Sequence, residues 1–187
     1  ILWMYNFGLN TGFSGDIIVI LYLLMIPSVV YMLGASATGN VVASLAVSRE
    51  MKLMLSYELP LVTAILVPII KSSSIKVIDI MQKSQPIIFS FSGLLAFLVL
   101  VICFQAKIGL VPFDIAEADQ ELAGGILIEY SGILLGIIKL SKQILYSIVP
   151  LFLIILFFPG GGLFVWLIKY LSVLLLFILI KNTNPRL

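Results

Sequence analysis

The sequence has 187 residues, of which 61% are hydrophobic and 11% are charged, and its formal net charge is +2. Soluble domains are about half apolar and about a quarter charged, so this composition excludes an ordinary water-soluble fold, and so small a charge does not indicate nucleic-acid binding. One cysteine and no histidine occur, which excludes cysteine or histidine metal sites and histidine general bases built from this sequence.

Five long apolar segments follow one another along the chain, each near or above the roughly 18 residues that cross a bilayer. Lipid offers backbone amides no hydrogen-bond partner, so such segments must form helices or closed barrels, and continuous runs favour helices. We therefore predict an all-α, multi-pass helical bundle that forms a single transmembrane domain. The predicted spans are Ile17–Thr38, Leu53–Ile70, Ile87–Ala106, Ile133–Phe158 and Leu163–Ile180.

The connectors between these spans differ in charge, and this difference predicts the orientation. Gly39–Lys52 and Lys71–Pro86 are polar links, Lys107–Glu129 is acidic, and Pro159–Gly162 is a tight turn. Cytoplasmic loops of membrane proteins carry more Lys and Arg. Alternating sides place five basic residues on the face of the acidic connector and three on the other, so the acidic connector is predicted to be cytoplasmic. The two groups are Arg49, Lys52, Lys107, Lys181 and Arg186, against Lys71, Lys76 and Lys83.

Glu58 is predicted to lie one to two turns inside the second span, within the stretch Ser56-Tyr57-Glu58-Leu59-Pro60. An ionised carboxylate at that depth is costly unless it is paired or hydrated, so it is a candidate for an intramembrane proton or ion site. The alternative interpretation is a glutamate at the helix end that reaches back to water.

The acidic connector is predicted to contain a short helix with Asp114 at its N-cap and Glu117 completing a capping box. At helical spacing Asp114, Glu117 and Glu121 share one face, whereas Asp119 points away from them. The repulsion between the three is relieved either by solvent and cations or by protons that bind there and can be relayed. The segment alone leaves both interpretations open.

Polar residues also mark the fourth span. Glu129 precedes the span, where the helix dipole favours a negative charge, so its own position indicates a structural role. Lys139 and Lys142 are three residues apart and share a helical face with Tyr146. They either extend to the cytoplasmic interface or face the bundle interior opposite carboxylates, and we predict the interior.

Two groups of motifs make the sequence recognisable: Ser56-Tyr57-Glu58, and the series Pro112-Phe113-Asp114, Glu117-Ala118-Asp119-Gln120-Glu121-Leu122 and Glu129-Tyr130-Ser131-Gly132. With them the chain resembles the complex I NuoH-like family, the respiratory-chain NADH dehydrogenase subunit 1 family. That family includes the eight-helix membrane subunit of NADH:quinone oxidoreductase and relatives in membrane-bound, energy-converting nickel-iron hydrogenases. The resemblance covers nearly the whole chain and implies the family's third to seventh helices, without the first two and the last.

Departures from the quinone-reducing pattern indicate the hydrogenase branch. Before Pro-Phe-Asp, quinone-reducing members usually carry Ala-Glu-Thr and an Arg, whereas this chain has Gln105–Val111. After Glu-Tyr-Ser-Gly they usually continue to Glu-Tyr-Ala-Asn, whereas this chain has Leu134–Lys142. The compact spacing from Ser48 to Glu58 is a further similarity to the hydrogenase branch.

The resemblance implies a membrane subunit that links a hydrophilic redox arm to an ion-translocating membrane arm and couples electron transfer to proton or sodium transport. It implies a cell-membrane location and, as partners, cytoplasmic hydrogenase-like large and small subunits and antiporter-like membrane subunits. The chain itself is expected to bind no cofactor and to be non-catalytic, with the nickel-iron site and the iron–sulfur clusters in the partner subunits. The expected proton or ion path consists of Glu58, Asp114, Glu117, Asp119, Glu121 and Glu129, with Lys139 and Lys142 transmitting charge changes.

Two other functions compete with this interpretation. The chain could be the membrane subunit of an NADH:quinone oxidoreductase, its acid-rich connector helping to shape a quinone chamber. It could also be a stand-alone secondary transporter that uses the same carboxylates for cation exchange. The sequence shows no inverted repeat or pair of interrupted helices that would favour the transporter.

Overall fold

A computed structural model of the chain describes residues 16–82, 86–115 and 124–184. Within these ranges the regular structure is helical. Five helices are long and apolar enough to cross a membrane, which confirms the predicted all-α bundle. The helices are α1 (Asp16–Ala37), α2 (Val41–Ser72), the short α3 (Val77–Gln82), α4 (Phe91–Ile108), α5 (Gly132–Phe157) and α6 (Leu163–Thr183), with 3₁₀ turns at Ile87–Phe89 and Gly125–Leu127.

Helix α2 is longer than the sequence predicts, because most of the expected polar link Gly39–Lys52 is helical. Asn40 caps the helix, its side-chain oxygen accepting a hydrogen bond from the Val42 backbone N–H at 2.9 Å. Ala43 and Ala46 are fully buried in a small cluster with Ile126, so the first turns of α2 are held by packing. Glu58 consequently lies about 25 Å from the start of the helix, at 1.5 Å per residue, and not one to two turns inside it.

Helix α4 is the central span of the bundle and is the most deeply buried of the five. It packs mainly against α2 and also against α5. Its aromatic residues meet those of α5 edge to face, with ring centroids 6.1 Å apart for Phe104 and Phe152 and 5.5 Å apart for Phe97 and Phe157. Backbone hydrogen bonds close the end of α4 at Gly109, whose φ of 71° favours glycine.

Helices α1 and α6 lie at the periphery. Only Val173 and Phe177 of α6 are buried, and most other apolar side chains of this helix face outward. Large exposed hydrophobic residues also cover one side of α1, among them Tyr22 and Leu33. Apolar outer faces of this kind are solvated by lipid or by neighbouring membrane helices, as expected of a multi-pass membrane protein.

Candidate functional site

A small polar cavity lies where α1, α2, α4, α5 and the acidic connector meet. Its free volume is about 30 Å³, which is room for about two water molecules. Apolar side chains, among them Phe113 and Leu145, form part of its wall. The polar residues that line it are Ser28, Tyr31, Glu50, Lys107, Asp114 and Lys142.

The cavity lies deep in the bundle, since Ser28 belongs to the middle of α1 and Lys142 to the middle of α5. Asp114 therefore lies inside the bundle, and the non-helical segment around it returns to the level of the helix centres. Irregular backbone at this depth is tolerated only where it is buried in protein or lines a polar cavity. The sequence leaves a solvated helix cap and a proton relay open for this segment, and the interior position of Asp114 differs from that of a solvated cap. The residues that would form the short helix, with Glu117, Asp119 and Glu121, lie outside the described residues.

Charges of both signs face one another across the cavity. Glu50 lies within electrostatic range of Lys142 and Asp114, and the Lys142 ammonium is 5.5 Å from the centre of the Tyr31 ring. This cation–π distance is within the range at which a ring face attracts a cation. Lys142 is thus held near two carboxylates and an aromatic face.

Tyr31 also fixes the spacing of α1 and α5 at this level. Its hydroxyl donates a hydrogen bond to the Ile138 carbonyl at 3.1 Å and lies 2.5 Å from the Ser141 hydroxyl oxygen. Both partners belong to the α5 turn that precedes Lys142. Tyr31 therefore positions the stretch of α5 that presents Lys142 to the cavity.

Glu58 forms an ion pair with Lys107 next to the cavity. The Lys107 ammonium donates to a carboxylate oxygen of Glu58 at 3.1 Å, and the Lys107 side chain is only 1% exposed, against 21% for Glu58. The ammonium also lies 5.2 Å from the centre of the Tyr57 ring. Removing one member of a buried ion pair typically costs about 3–5 kcal/mol, because the other charge is left without compensation.

Glu58 also faces a second compartment on the opposite side of the pair. It lines an apolar groove of about 380 Å³ between α1 and α2, whose other walls include Leu21, Met25, Val62 and Ile65. Because Lys107 lines the polar cavity, the pair stands between the groove and the cavity. One continuous series therefore crosses the bundle, from the groove through Glu58 and Lys107 to the cavity.

Two predicted site residues lie away from this series. Glu129 is exposed and accepts a hydrogen bond from the Asn40 side-chain amide at 2.5 Å, which ties the start of α2 to the acidic connector. Lys139 is exposed, and it does not line the cavity as Lys142 does. The shared face predicted for Lys139 and Lys142 is divided, because a spacing of three residues separates their directions by about 60°.

Sequence reasoning did not select Glu50 or Lys107, although both line the cavity. A polar stretch around Glu50 is typical of a loop, and Lys107 has the position of a cationic residue in the last turn of a helix. The one signal for Glu50 was its spacing of eight residues from Glu58, which places the two acids about 80° apart around one helix.

This chain is similar to known membrane subunits of respiratory enzymes. A family model described as NADH dehydrogenase matches residues 3–187. An H-type subunit of the NADH-quinone oxidoreductase of Syntrophobacter fumaroxidans is 34% identical over 161 residues, which cover 83% of this chain and 49% of that protein. The H-type subunit of the same enzyme in Geobacillus kaustophilus is 30% identical over 164 residues, covering 82% and 49%. This chain thus spans about half the length of these curated relatives.

A solved structure with the same fold comes from the membrane-bound sulfane sulfur reductase, an archaeal respiratory membrane complex. The TM-score is 0.85 at 29% sequence identity, and the match covers 91% of this chain and 60% of that chain. Similarity in both fold and sequence connects the bundle to subunits of multi-subunit respiratory membrane complexes.

Proposed function

This chain belongs to the NADH dehydrogenase family of membrane subunits, and we propose that it couples electron transfer in a complex I-related membrane complex to the transport of protons or sodium ions. Its relatives are subunits of respiratory membrane complexes, so partner subunits are part of the proposal. The chain would join a hydrophilic redox arm, where the electron chemistry occurs, to membrane subunits that move ions.

The Glu58–Lys107 ion pair beside the polar cavity is the observation that carries this proposal. A bundle that served only as an anchor could fill this volume with apolar side chains at little or no loss of stability. Instead, Glu50, Glu58 and Asp114 meet Lys107 and Lys142 within the bundle. Charged groups at such depth are rare and mark proton or ion pathways. A charge change at the connector would therefore act electrostatically on the interior groups.

We further propose that the complex is a membrane-bound nickel-iron hydrogenase. In that complex a cytoplasmic large and small subunit would hold the nickel-iron site and the iron–sulfur clusters, and antiporter-like subunits would move the ions. Support comes from the departures from the quinone pattern at Gln105–Val111 and Leu134–Lys142. The similarity to an archaeal respiratory complex other than a quinone oxidoreductase is consistent with them.

The quinone-oxidoreductase subunit is the second candidate function, and the names of the curated relatives favour it. In this case the acidic connector would contribute to a quinone chamber, and quinone would be the electron acceptor. The interior charges would serve the same coupling role, so the two candidates differ in the chemistry of the partner subunits.

Purification of the native complex separates these candidates. The hydrogenase proposal predicts that mass spectrometry identifies a nickel-iron large subunit with this chain, and that reduced ferredoxin drives hydrogen evolution with ion uptake into proteoliposomes. Quinone bound in stoichiometric amount, with quinone reduction, would select the second candidate. Reduction of sulfane sulfur without nickel would contradict both. Isolation of the chain alone with ion flux would overturn the role as a complex subunit.

A further inference from the structure

Lys107 occupies the last turn of α4 but does not serve that helix end. The carbonyl of Ala106 accepts a hydrogen bond from the Gly109 N–H at 3.1 Å, and the carbonyl of Gln105 accepts one from the Leu110 N–H at 3.1 Å. A lysine in this position can instead extend to water, yet the Lys107 side chain is 1% exposed. The side chain is therefore directed into the bundle for another reason.

Lys107 lies between two separate acidic centres. On one side it donates to Glu58 at 3.1 Å. On the other side, Lys107 is one of the residues that line the cavity, together with Glu50 and Asp114. An ammonium group has three N–H donors on a flexible four-carbon stem, and among the described residues only Glu58 accepts from it. The group therefore has donors left for a second partner.

Because the interior has a low dielectric constant, protonation of Glu58 changes the electrostatic energy of the Lys107 ammonium. The carboxyl then loses its charge, and the Lys107 ammonium loses its compensating partner. A buried cation without a counter-charge is strongly destabilised, whereas the carboxylates of Glu50 and Asp114 lie in the adjoining cavity. The ammonium is consequently drawn toward the cavity, and it returns when Glu58 is ionised again.

We propose that Lys107 is a positioning residue shared by two acidic centres: it pairs with Glu58 when Glu58 is ionised and with Glu50 and Asp114 when Glu58 is protonated. The proposal rests on the proposed coupling function and gives it an internal link. Occupancy of Glu58 by a proton, gained on the side of the apolar groove, is thereby communicated to the cavity acids. Lys107 moves charge between the centres while keeping its own protons.

An exchange of charges tests this role in the intact complex, reconstituted in proteoliposomes, by the number of ions transported per electron. Lys107→Met should lower this ratio by about tenfold, within the range of coupling between two sites of one protein, and Lys107→Arg should retain most of it. The exchange Glu58→Lys with Lys107→Glu keeps an ion pair but places a third carboxylate beside the cavity acids, so it should not restore coupling. Full coupling in the exchange or in Lys107→Met would overturn the proposal. Lys169→Gln is the control, because Lys169 donates to the carbonyls of Phe158 and Gly160.

A second measurement reads the same link without transport. In the detergent-solubilised complex, the infrared absorption of the protonated Asp114 carboxyl, assigned by its loss in Asp114→Asn, is recorded at a pH where the band is half its maximum. Glu58→Gln imitates protonated Glu58 and should lower this band strongly while Lys107 is present, and much less in the Lys107→Met background, where only the direct loss of the Glu58 charge remains. Equal effects in both backgrounds would refute the link. A wild-type complex that transports no ions but shows this dependence would refute the coupling function and retain the role of Lys107.

Discussion

Glu58 is paired within the bundle with Lys107, whose ammonium lies 3.1 Å from its carboxylate. The sequence indicates that Glu58 is a buried carboxylate, but its partner, Lys107, lies at a helix end 49 residues later. That partner could not be predicted from spacing along one helix, because the contact depends on how α2 and α4 pack. The ionic site is therefore a product of tertiary structure, although each of its members is visible in the sequence.

Substitution of Lys142 tests the cavity at the scale of single residues, and the same substitution at Lys139 is the matched comparison. Lys142→Gln removes a cation that lies near Glu50 and Asp114, so repulsion between the acids rises and ion transport per electron should fall by about tenfold. Lys139→Gln changes an exposed residue and should have the smaller effect. Both ratios are measured in proteoliposomes containing the assembled complex. An equal loss of transport in the two variants, or a larger loss for Lys139→Gln, would contradict the role of Lys142 at the cavity.

At the scale of elements, the long helix α2 determines where the acids lie. Hydropathy predicts only the apolar part of this helix, since its first turns carry Ser48, Arg49 and Lys52. Packing of Ala43 and Ala46 against Ile126 extends the helix and brings Glu50 into the bundle. Sequence reasoning failed here because small buried residues on a polar stretch are a weak signal without knowledge of the neighbouring element.

The cap of α2 provides a stability test at this scale. Asn40→Ala removes the side-chain bond to the Val42 N–H and the bond to Glu129, and loss of such a cap costs about 1 kcal/mol. The midpoint of thermal unfolding should fall by about 2–4 °C for a chain of this size. The buried Cys103 reports unfolding of this chain when its peptide becomes labelled by a thiol reagent. Ser44→Ala is the control, and an unchanged midpoint for Asn40→Ala would contradict the assignment.

At the scale of the whole molecule, the five spans and the helical bundle follow from the sequence, because a lipid environment permits few alternatives. The cavity does not follow from it, since it requires the described start of the acidic connector, residues 109–115, to return to the level of the helix centres. The basic-residue count used for orientation is also altered. Lys107 is buried in an ion pair and does not act as a surface charge, which leaves four basic residues against three.

The orientation of the chain in the membrane can be tested directly by labelling the two sides. The Asn40–Glu129 hydrogen bond places the α1–α2 link and the acidic connector on the same side of the bundle, and we predict that this side is cytoplasmic. After the soluble arm has been removed, Asp119→Cys should react with an impermeant thiol reagent from the cytoplasm, and Asp79→Cys should react only from outside. The reverse pattern would invert the topology. Labelling of both from one side would contradict the helix order.

The proposed coupling function depends above all on Glu58, and its replacement by glutamine is the most direct test. Glu58→Gln keeps the shape of the side chain and removes its charge and its titration. In a fully assembled complex in proteoliposomes, electron transfer should persist while ion transport falls on the order of a hundredfold, the scale of losing one positioned proton-transfer group. Glu58→Asp should be milder, and Asp79→Asn, at an exposed residue that accepts a hydrogen bond from Ser74, should transport normally. Undiminished electron transfer together with undiminished ion transport in Glu58→Gln would contradict the account.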